Sequence, residues 1–300
     1  MIQDRKRRQF LRTSLIIGNI LLLLALVIVT IWGIYSLRNR LIQDSIESLQ
    51  YYSFSLSNIG KEASSLEADY LANIKPVPKI APPSGSPKIA ILLTNLGFSK
   101  RATQMSLILP VEVGFGFYPY TTTMKPLLYQ AAERGHEIFL YIPFEQTDSS
   151  INPGKLSLLT AKSSDENITN INRLLSGFTG YTGVYAAPSE GFTKNPIAIA
   201  PVIEMINGKK LLLVLGEKRD NTALTKEPNV LFSSLTIDEE PSPASIKSSL
   251  AEAIALAKLH GNVLCYAQSY PVTINLLLEW IPSLIEHGIE LVPVSSLRGS

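Results

Sequence analysis

The sequence predicts an α/β fold on a parallel sheet, closed or nearly closed into a barrel, behind a single membrane-spanning helix. Three observations carry that reading. From Lys88 onward, short apolar runs alternate with helix-length segments, seven or eight times over. The first of these runs, Ile89–Leu93, is continuously apolar, as in a strand covered on both faces. Far upstream, Leu15–Tyr35 is apolar throughout except for Asn19, Thr30 and two glycines. A doubly wound open sheet is the main competitor to the barrel.

Leu15–Tyr35 as a helix at ~1.5 Å per residue is about 31 Å long, which matches a hydrocarbon core of ~30 Å. The apolar region of a cleaved signal peptide is shorter, and Tyr35-Ser36-Leu37-Arg38 is a poor cleavage site, so the segment reads as a retained anchor. Arg5, Lys6, Arg7, Arg8 and Arg12 precede it, and only Arg38 and Arg40 follow it. That asymmetry places residues 1–14 in the cytoplasm and everything after residue 35 across the inner membrane, in the periplasm of a bacterium. Residues 36–87 read as a juxtamembrane stalk, a candidate for self-association. Its last part, Lys75–Pro87, holds five prolines and is expected to be extended. Residues 88–300 form the globular domain.

The formal net charge is +2 over 300 residues, and Met1–Arg12 carries five basic residues against Asp4. The remainder is therefore slightly acidic and lacks the basic patch of a nucleic-acid binder, so nucleic acid is excluded as a partner. Cys265 is the sole cysteine. It lies inside the apolar run Asn262–Ala267 and reads as a small buried hydrophobe.

Strands are expected at Ile89–Leu93, Glu112–Phe117, Glu137–Ile142, Gly183–Ala187, Leu211–Leu215, Val230–Phe232, Val263–Ala267 and Glu290–Val294. The clearest helix is Pro243–Leu259, with Ile246, Leu250, Ile254 and Ala257 on one face. Proline opens its first turn and Gly261 follows its end. Alternation of this kind implies parallel strands joined by right-handed crossovers. In such folds chemistry gathers at the carboxyl ends of the strands. Thr94 and Asn95 end the first strand, and both are neutral.

Gly114-Phe115-Gly116-Phe117 is not a phosphate loop, because the third glycine and the helix start are missing. No Gly-x-Ser-x-Gly elbow occurs. His260 and His287 precede glycines at helix carboxyl ends and read as structural. His136 opens a strand beside Glu137 and is either a ligand or an orienting residue. Glu145 and Asp148 follow the end of that strand, as an acid–base pair or as a solvated loop. Tyr118, Tyr141, Tyr185 and Tyr266 all fall at strand carboxyl ends. They either pack in the core or form a rim that stacks on sugar faces.

In order along the chain, these stretches resemble the divergent polysaccharide deacetylase family. Ile89 to Gly97 looks like its opening strand, which normally ends Asp-Asp-Leu-Gly. Val113 to Tyr120 looks like its second strand, and Gly135-His136-Glu137 through Pro143-Phe144-Glu145 like its Gly-His-Glu…His-x-Pro-Met-Glu segment. Pro271 to Ile274 and Leu291 to Ser295 resemble its last two units. The resemblance implies a distorted (β/α) barrel of about seven strand–helix units. It also implies a divalent metal such as zinc, held by aspartates and histidines, that activates water against an acetamide.

The departures fall on that chemistry. Thr94 and Asn95 stand at the aspartate positions, Tyr141 at the second histidine, and Gln268 at the histidine near the carboxyl end. Tyr185 to Glu190 replaces an Asn-Asn-His-Met-Gly-Ser stretch, and Gly216-Glu217 replaces Asp-Ser. Only His136, Glu137 and Glu145 remain of the polar motif positions. A hard divalent cation needs anionic oxygen or imidazole ligands. The expectation is therefore a membrane-anchored, deacetylase-like domain with no metal cofactor, binding envelope glycan through Tyr118, Tyr141, Tyr185 and Tyr266, or scaffolding an envelope complex. Two alternatives stay open: an active carbohydrate esterase with a relocated site at His136, Glu137, Glu145 or Asp148, and a structural partner protein acting through residues 39–87.

Overall fold

The computed structural model describes residues 85–120, 125–145, 154–216 and 223–298. The expected transmembrane helix 15–35 and the stalk up to residue 84 lie outside the described residues. Among the described residues no helix is long and apolar enough to cross a membrane.

From Lys88 the chain alternates as expected. The elements are β1 (Lys88–Leu96), α1 (Lys100–Ser106), β2 (Gly114–Phe117), α2 (Lys125–Glu133), β3 (Ile138–Tyr141), α3 (Ser164–Leu175), β4 (Gly183–Ala186), α4 (Glu190–Thr193), α5 (Pro196–Gly208), β5 (Leu212–Leu215), β6 (Val230–Phe232), β7 (Leu235–Thr236), α6 (Pro243–His260), β8 (Asn262–Gln268), α7 (Pro271–Trp280) and β9 (Glu290–Leu291). The boundaries follow local chemistry. At α6 the Ser242 hydroxyl accepts from the Ser245 N–H at the start, and Gly261, at φ 84°, ends the helix. The last expected strand, Glu290–Val294, is cut to two residues, because Pro293 opens a 3-10 turn over Val294–Leu297.

All pairings in the sheet are parallel, in the order β6-β5-β4-β3-β2-β1-β8-β7. One edge of β1 pairs with β8 from Lys88↔Asn262 to Thr94↔Gln268. Its other edge meets β9 at Lys88 and Ile89, then β2 from Leu92 onward. The outermost strands, β6 and β7, are neighbours in sequence. The Ser233 N–H donates to the Leu215 carbonyl on β5 and the Ser234 N–H to the Leu264 carbonyl on β8, both at 2.8 Å. Two consecutive residues thus bring the edges of the row together. This curled sheet is consistent with a distorted (β/α) barrel, not with an open doubly wound sheet.

Strand alternation divides the core in two. Ile89, Ile91, Leu93, Phe115, Phe117, Leu140, Val184, Leu213 and Cys265 belong to the cluster that packs under the helices. Ala90, Leu92, Phe139, Tyr141, Tyr185, Leu212, Val214, Leu264 and Tyr266 fill the inside of the curl. On β2 the inward positions are Gly114 and Gly116. A Cβ on Gly116 would lie 2.7 Å from the Tyr185 ring, and one on Gly114 would lie 2.9 Å from Val294 and 3.3 Å from Phe139. The Gly-Phe-Gly-Phe run is therefore a packing device: bare backbone inside admits the large rings of the neighbouring strands.

Candidate functional site

The site begins with an irregularity in β1. Between Leu93 and Leu96 this strand advances three residues while β2 advances two, from Phe115 to Phe117. Thr94 and Asn95 occupy the bulge, and Asn95 takes φ 63°, a left-handed conformation that asparagine tolerates better than most residues. Bulges re-aim side chains at strand ends. Here the Asn95 Nδ2 donates to Gln268 Oε1 at 2.6 Å, and the Tyr270 hydroxyl donates to the same oxygen at 3.0 Å. The Ser269 hydroxyl donates to the Asn95 carbonyl at 3.1 Å. Thr94 is buried, and its hydroxyl donates to the Ala267 carbonyl at 3.1 Å.

A cavity of about 310 Å³ opens above this junction, lined by Asn95, Phe98, Ser99, Gln268, Ser269 and Tyr270 among others. Phe98 is 66% exposed and Tyr270 39% exposed. Its polar lining is neutral. A larger groove, about 450 Å³, runs along α5 over Ile199 and Ile203, away from this end of β1 and β8.

The four tyrosines come together here as a column. Ring centroids are 4.2 Å apart for Phe98–Tyr118, 4.5 Å for Tyr118–Tyr141, 5.3 Å for Tyr141–Tyr185 and 6.5 Å for Tyr185–Tyr266. Tyr141, Tyr185 and Tyr266 are nevertheless buried. Their strands place them on the inside of the curl, and the Tyr266 hydroxyl donates to the Val214 carbonyl at 2.9 Å. Burial, reinforced by neighbouring phenols, holds Tyr141 and Tyr185 well above the ordinary phenol pKa, so both are neutral. These rings stack on one another and plug the mouth. The aromatic surface open to a ligand is Phe98, Tyr120, Tyr270 and the half-buried Tyr118.

The three surviving motif residues do not converge. His136 lies before the amino end of β3, buried, with its ring stacked on Phe115 at 4.0 Å and its Nδ1 3.0 Å from the Val113 carbonyl. A carbonyl partner requires the proton on Nδ1, and burial lowers the imidazole pKa, so the ring is neutral. Glu137, at the same end, accepts from the Ser295 N–H at 3.1 Å. Glu145 lies past the opposite end of β3, where one oxygen accepts from both the N–H and the hydroxyl of Thr160 at 2.6 Å. Those bonds lower its pKa. Asp148 lies outside the described residues. Among the described residues no three His, Cys, Asp or Glu side chains gather in a metal-holding group.

Asp238 escapes sequence reasoning. It is fully buried, and its Oδ2 accepts from the Gln268 N–H at 2.8 Å and the Thr273 hydroxyl at 2.7 Å. It follows a strand of two residues and precedes Glu239 and Glu240, so its surroundings read as a solvated acidic turn. The only available signal was its place just past the apolar residues Leu235 and Ile237.

The curled parallel sheet, with its bulged first strand and polar mouth, defines an α/β domain of the distorted-barrel class. The profile of the divergent polysaccharide deacetylase family matches residues 91–298, and the chain belongs to that family. Among solved structures, an uncharacterized protein from Agrobacterium tumefaciens C58 is similar at 27% identity and a TM-score of 0.67, over 71% of this chain and 89% of that one. The catalytic domain of a peptidoglycan N-acetylglucosamine deacetylase from Eubacterium rectale aligns at 10% identity and a TM-score of 0.44, over 70% of this chain and 90% of that one. A peptidoglycan deacetylase from Bdellovibrio bacteriovorus aligns at 12% identity and a TM-score of 0.42, over 72% of this chain and 56% of that one. No curated protein matches.

Proposed function

We propose that this member of the family is a single-pass inner-membrane protein whose periplasmic domain binds envelope glycan without metal-dependent deacetylation. One observation carries the reading: at the positions where the family resemblance expects metal ligands, the Asn95 amide is bonded to the Gln268 amide at 2.6 Å. A divalent metal does not fit this donor set. The Thr94 hydroxyl is committed as a donor, Asn95 and Gln268 are neutral amides, and Tyr141 is a buried neutral phenol. What remains at the mouth is a neutral polar floor beside exposed aromatic faces, a combination suited to an uncharged sugar. The esterase alternative places a relocated site at His136, Glu137, Glu145 or Asp148; β3 separates His136 and Glu137 from Glu145, and Asp148 lies outside the described residues.

The test has two arms. The full-length purified protein is assayed for zinc, nickel and cobalt content and for release of acetate from N-acetylated chito-oligosaccharides, and the same oligosaccharides are titrated for binding. Saturable binding with neither stoichiometric metal nor acetate release supports the reading. One tightly held metal per chain, or chelator-sensitive acetate release, overturns it. The anchor at 15–35 is tested separately, by a reporter active only in the periplasm fused after Ser300. The basic residues ahead of the apolar run predict that this fusion is active.

A further inference from the structure

Asp238 has so far no part in the mouth, yet its setting is unusual. Thr236 on β7 is in register with Tyr266 on β8, and Gln268 on β8 with Thr94 on β1. Asp238, two residues past Thr236, thus stands beside Gln268 at the level of the bulge. Its Oδ2 takes both bonds described above, from Gln268 and from Thr273 near the start of α7. Its Oδ1 is buried and has no partner. Among the described residues no cation compensates. The elements packed around it carry Lys247, Glu252, Lys258 and His260 on α6, Glu279 on α7 and Tyr266 on β8, while Glu239 and Glu240 follow it in the chain. None of these hydrogen-bonds to Asp238 or shifts its ionisation. An ionised carboxylate with one bare oxygen in such a place costs far more than the neutral acid.

We infer that Asp238 is the positioning residue of the mouth pocket, joining the end of β8 to the start of α7 through Gln268 and Thr273 in its protonated form. As far as it concerns ligand binding, this rests on the glycan-binding reading above. Asp238 fixes the backbone of Gln268, whose side-chain oxygen in turn receives both Asn95 and Tyr270. Ionisation places a bare charge in the core and loosens that corner, and with it two walls of the cavity. Desolvation raises the carboxyl pKa, and the contacts from the Thr273 hydroxyl, the Gln268 N–H and its own backbone N–H oppose it without cancelling it. With the folded value raised, the stabilisation is complete below the ordinary carboxyl value of ~3.9 and is lost as pH rises through the raised value.

The experiment uses the full-length chain and Asp238→Asn. Hydrogen–deuterium exchange of the peptide covering residues 264–275, corrected for intrinsic rates, is followed as pH rises, together with titration by an N-acetylated chito-oligosaccharide. In the wild type, protection of that peptide and glycan affinity are both expected to fall with rising pH, by about two- to tenfold, the worth of one hydrogen bond. In Asp238→Asn both should stay flat, because the amide keeps a carbonyl for Gln268 and cannot ionise. Wild-type protection that does not change with pH, or an Asp238→Asn variant that follows the wild-type profile, overturns the inference. If Asp238→Asn does not fold, the wild-type pH series decides alone. If the wild type binds no glycan at any pH, the binding reading fails, and exchange still decides the role of Asp238.

Discussion

The two ends of β3 hold opposite kinds of polar residue and use them in opposite ways. At the amino end stand His136 and Glu137, titratable residues of the Gly-His-Glu stretch, and both are spent on the backbone of neighbouring segments. At the carboxyl end stands Tyr141, neutral and buried, within a column of rings beneath the cavity. His136 and Glu137 bond the fold together at the amino end, Glu145 bonds Thr160 past the carboxyl end, and the cavity at the ends of β1 and β8 has a neutral polar lining.

The largest expected effect lies in the column. Tyr185→Ala removes a ring that fits against Gly116 and lies between Tyr141 and Tyr266. Loss of a buried aromatic costs roughly 3–5 kcal/mol. A large drop in melting temperature, with glycan affinity falling alongside, is expected. An unchanged melting temperature would mean that the rings do not form the plug described.

Next comes the amino end. His136→Ala leaves the Val113 carbonyl without its donor and a void against Phe115, for a loss of about 1–3 kcal/mol. Glycan affinity should not change. The pH dependence has a definite sign. Burial lowers the folded pKa of His136, so its contribution is full above the ordinary value of ~6.5 and is lost as pH falls below it, because the unfolded chain takes the proton more readily. His136→Gln should flatten that acid limb in thermal melts. Asp238 runs the other way, losing its contribution as pH rises, so the two ends of the sheet are separable by pH alone.

How much of this was legible before the structure follows from the same contrast. The strands were readable because most are short, wholly apolar runs, and α6 because its periodicity and caps agree. Apolarity on both faces also hid which way each side chain points, so tyrosines correctly placed at strand ends could be read as an open rim. The inward glycines of β2 were the sole hint that rings from β3 and β4 need that space. β7 is too short to leave a periodic signal, and with it went both the junction at Ser233–Ser234 and the buried setting of Asp238. The bulge at Thr94–Asn95 depends on pairing between strands and is invisible locally.

The mouth itself should respond to Phe98→Ala and Tyr270→Ala. Both residues are substantially exposed, so melting temperatures should move little, within about 0.5 kcal/mol. If sugars stack on these faces as bases stack on aromatics, each change weakens glycan binding by about 1 kcal/mol, at the low end of the range for bases. Isothermal titration with the same oligosaccharides reads the loss. Equal affinity in the wild type and both variants would move the glycan away from this cavity.

The smallest expected effect is the one that best separates the binding and esterase readings. Glu145 is the surviving acidic residue nearest the carboxyl end of β3, and in an esterase with a relocated site it would be the obvious base. Its oxygen is instead engaged by Thr160 through backbone and side chain, at the surface. Those bonds lower its pKa, so whatever stability it adds is present above the ordinary carboxylate value of ~4.3 and is lost as pH falls through the lowered one. Exposure to solvent keeps that contribution small, within about 0.5 kcal/mol. Glu145→Gln keeps an oxygen for Thr160 and removes only the charge. The expected outcome is an unchanged melting temperature near neutral pH and unchanged glycan affinity. If the full-length protein has a hydrolytic activity and Glu145→Gln abolishes it while leaving the fold intact, Glu145 is acting as a base, and the distinction drawn between the two ends of β3 fails at its carboxyl end.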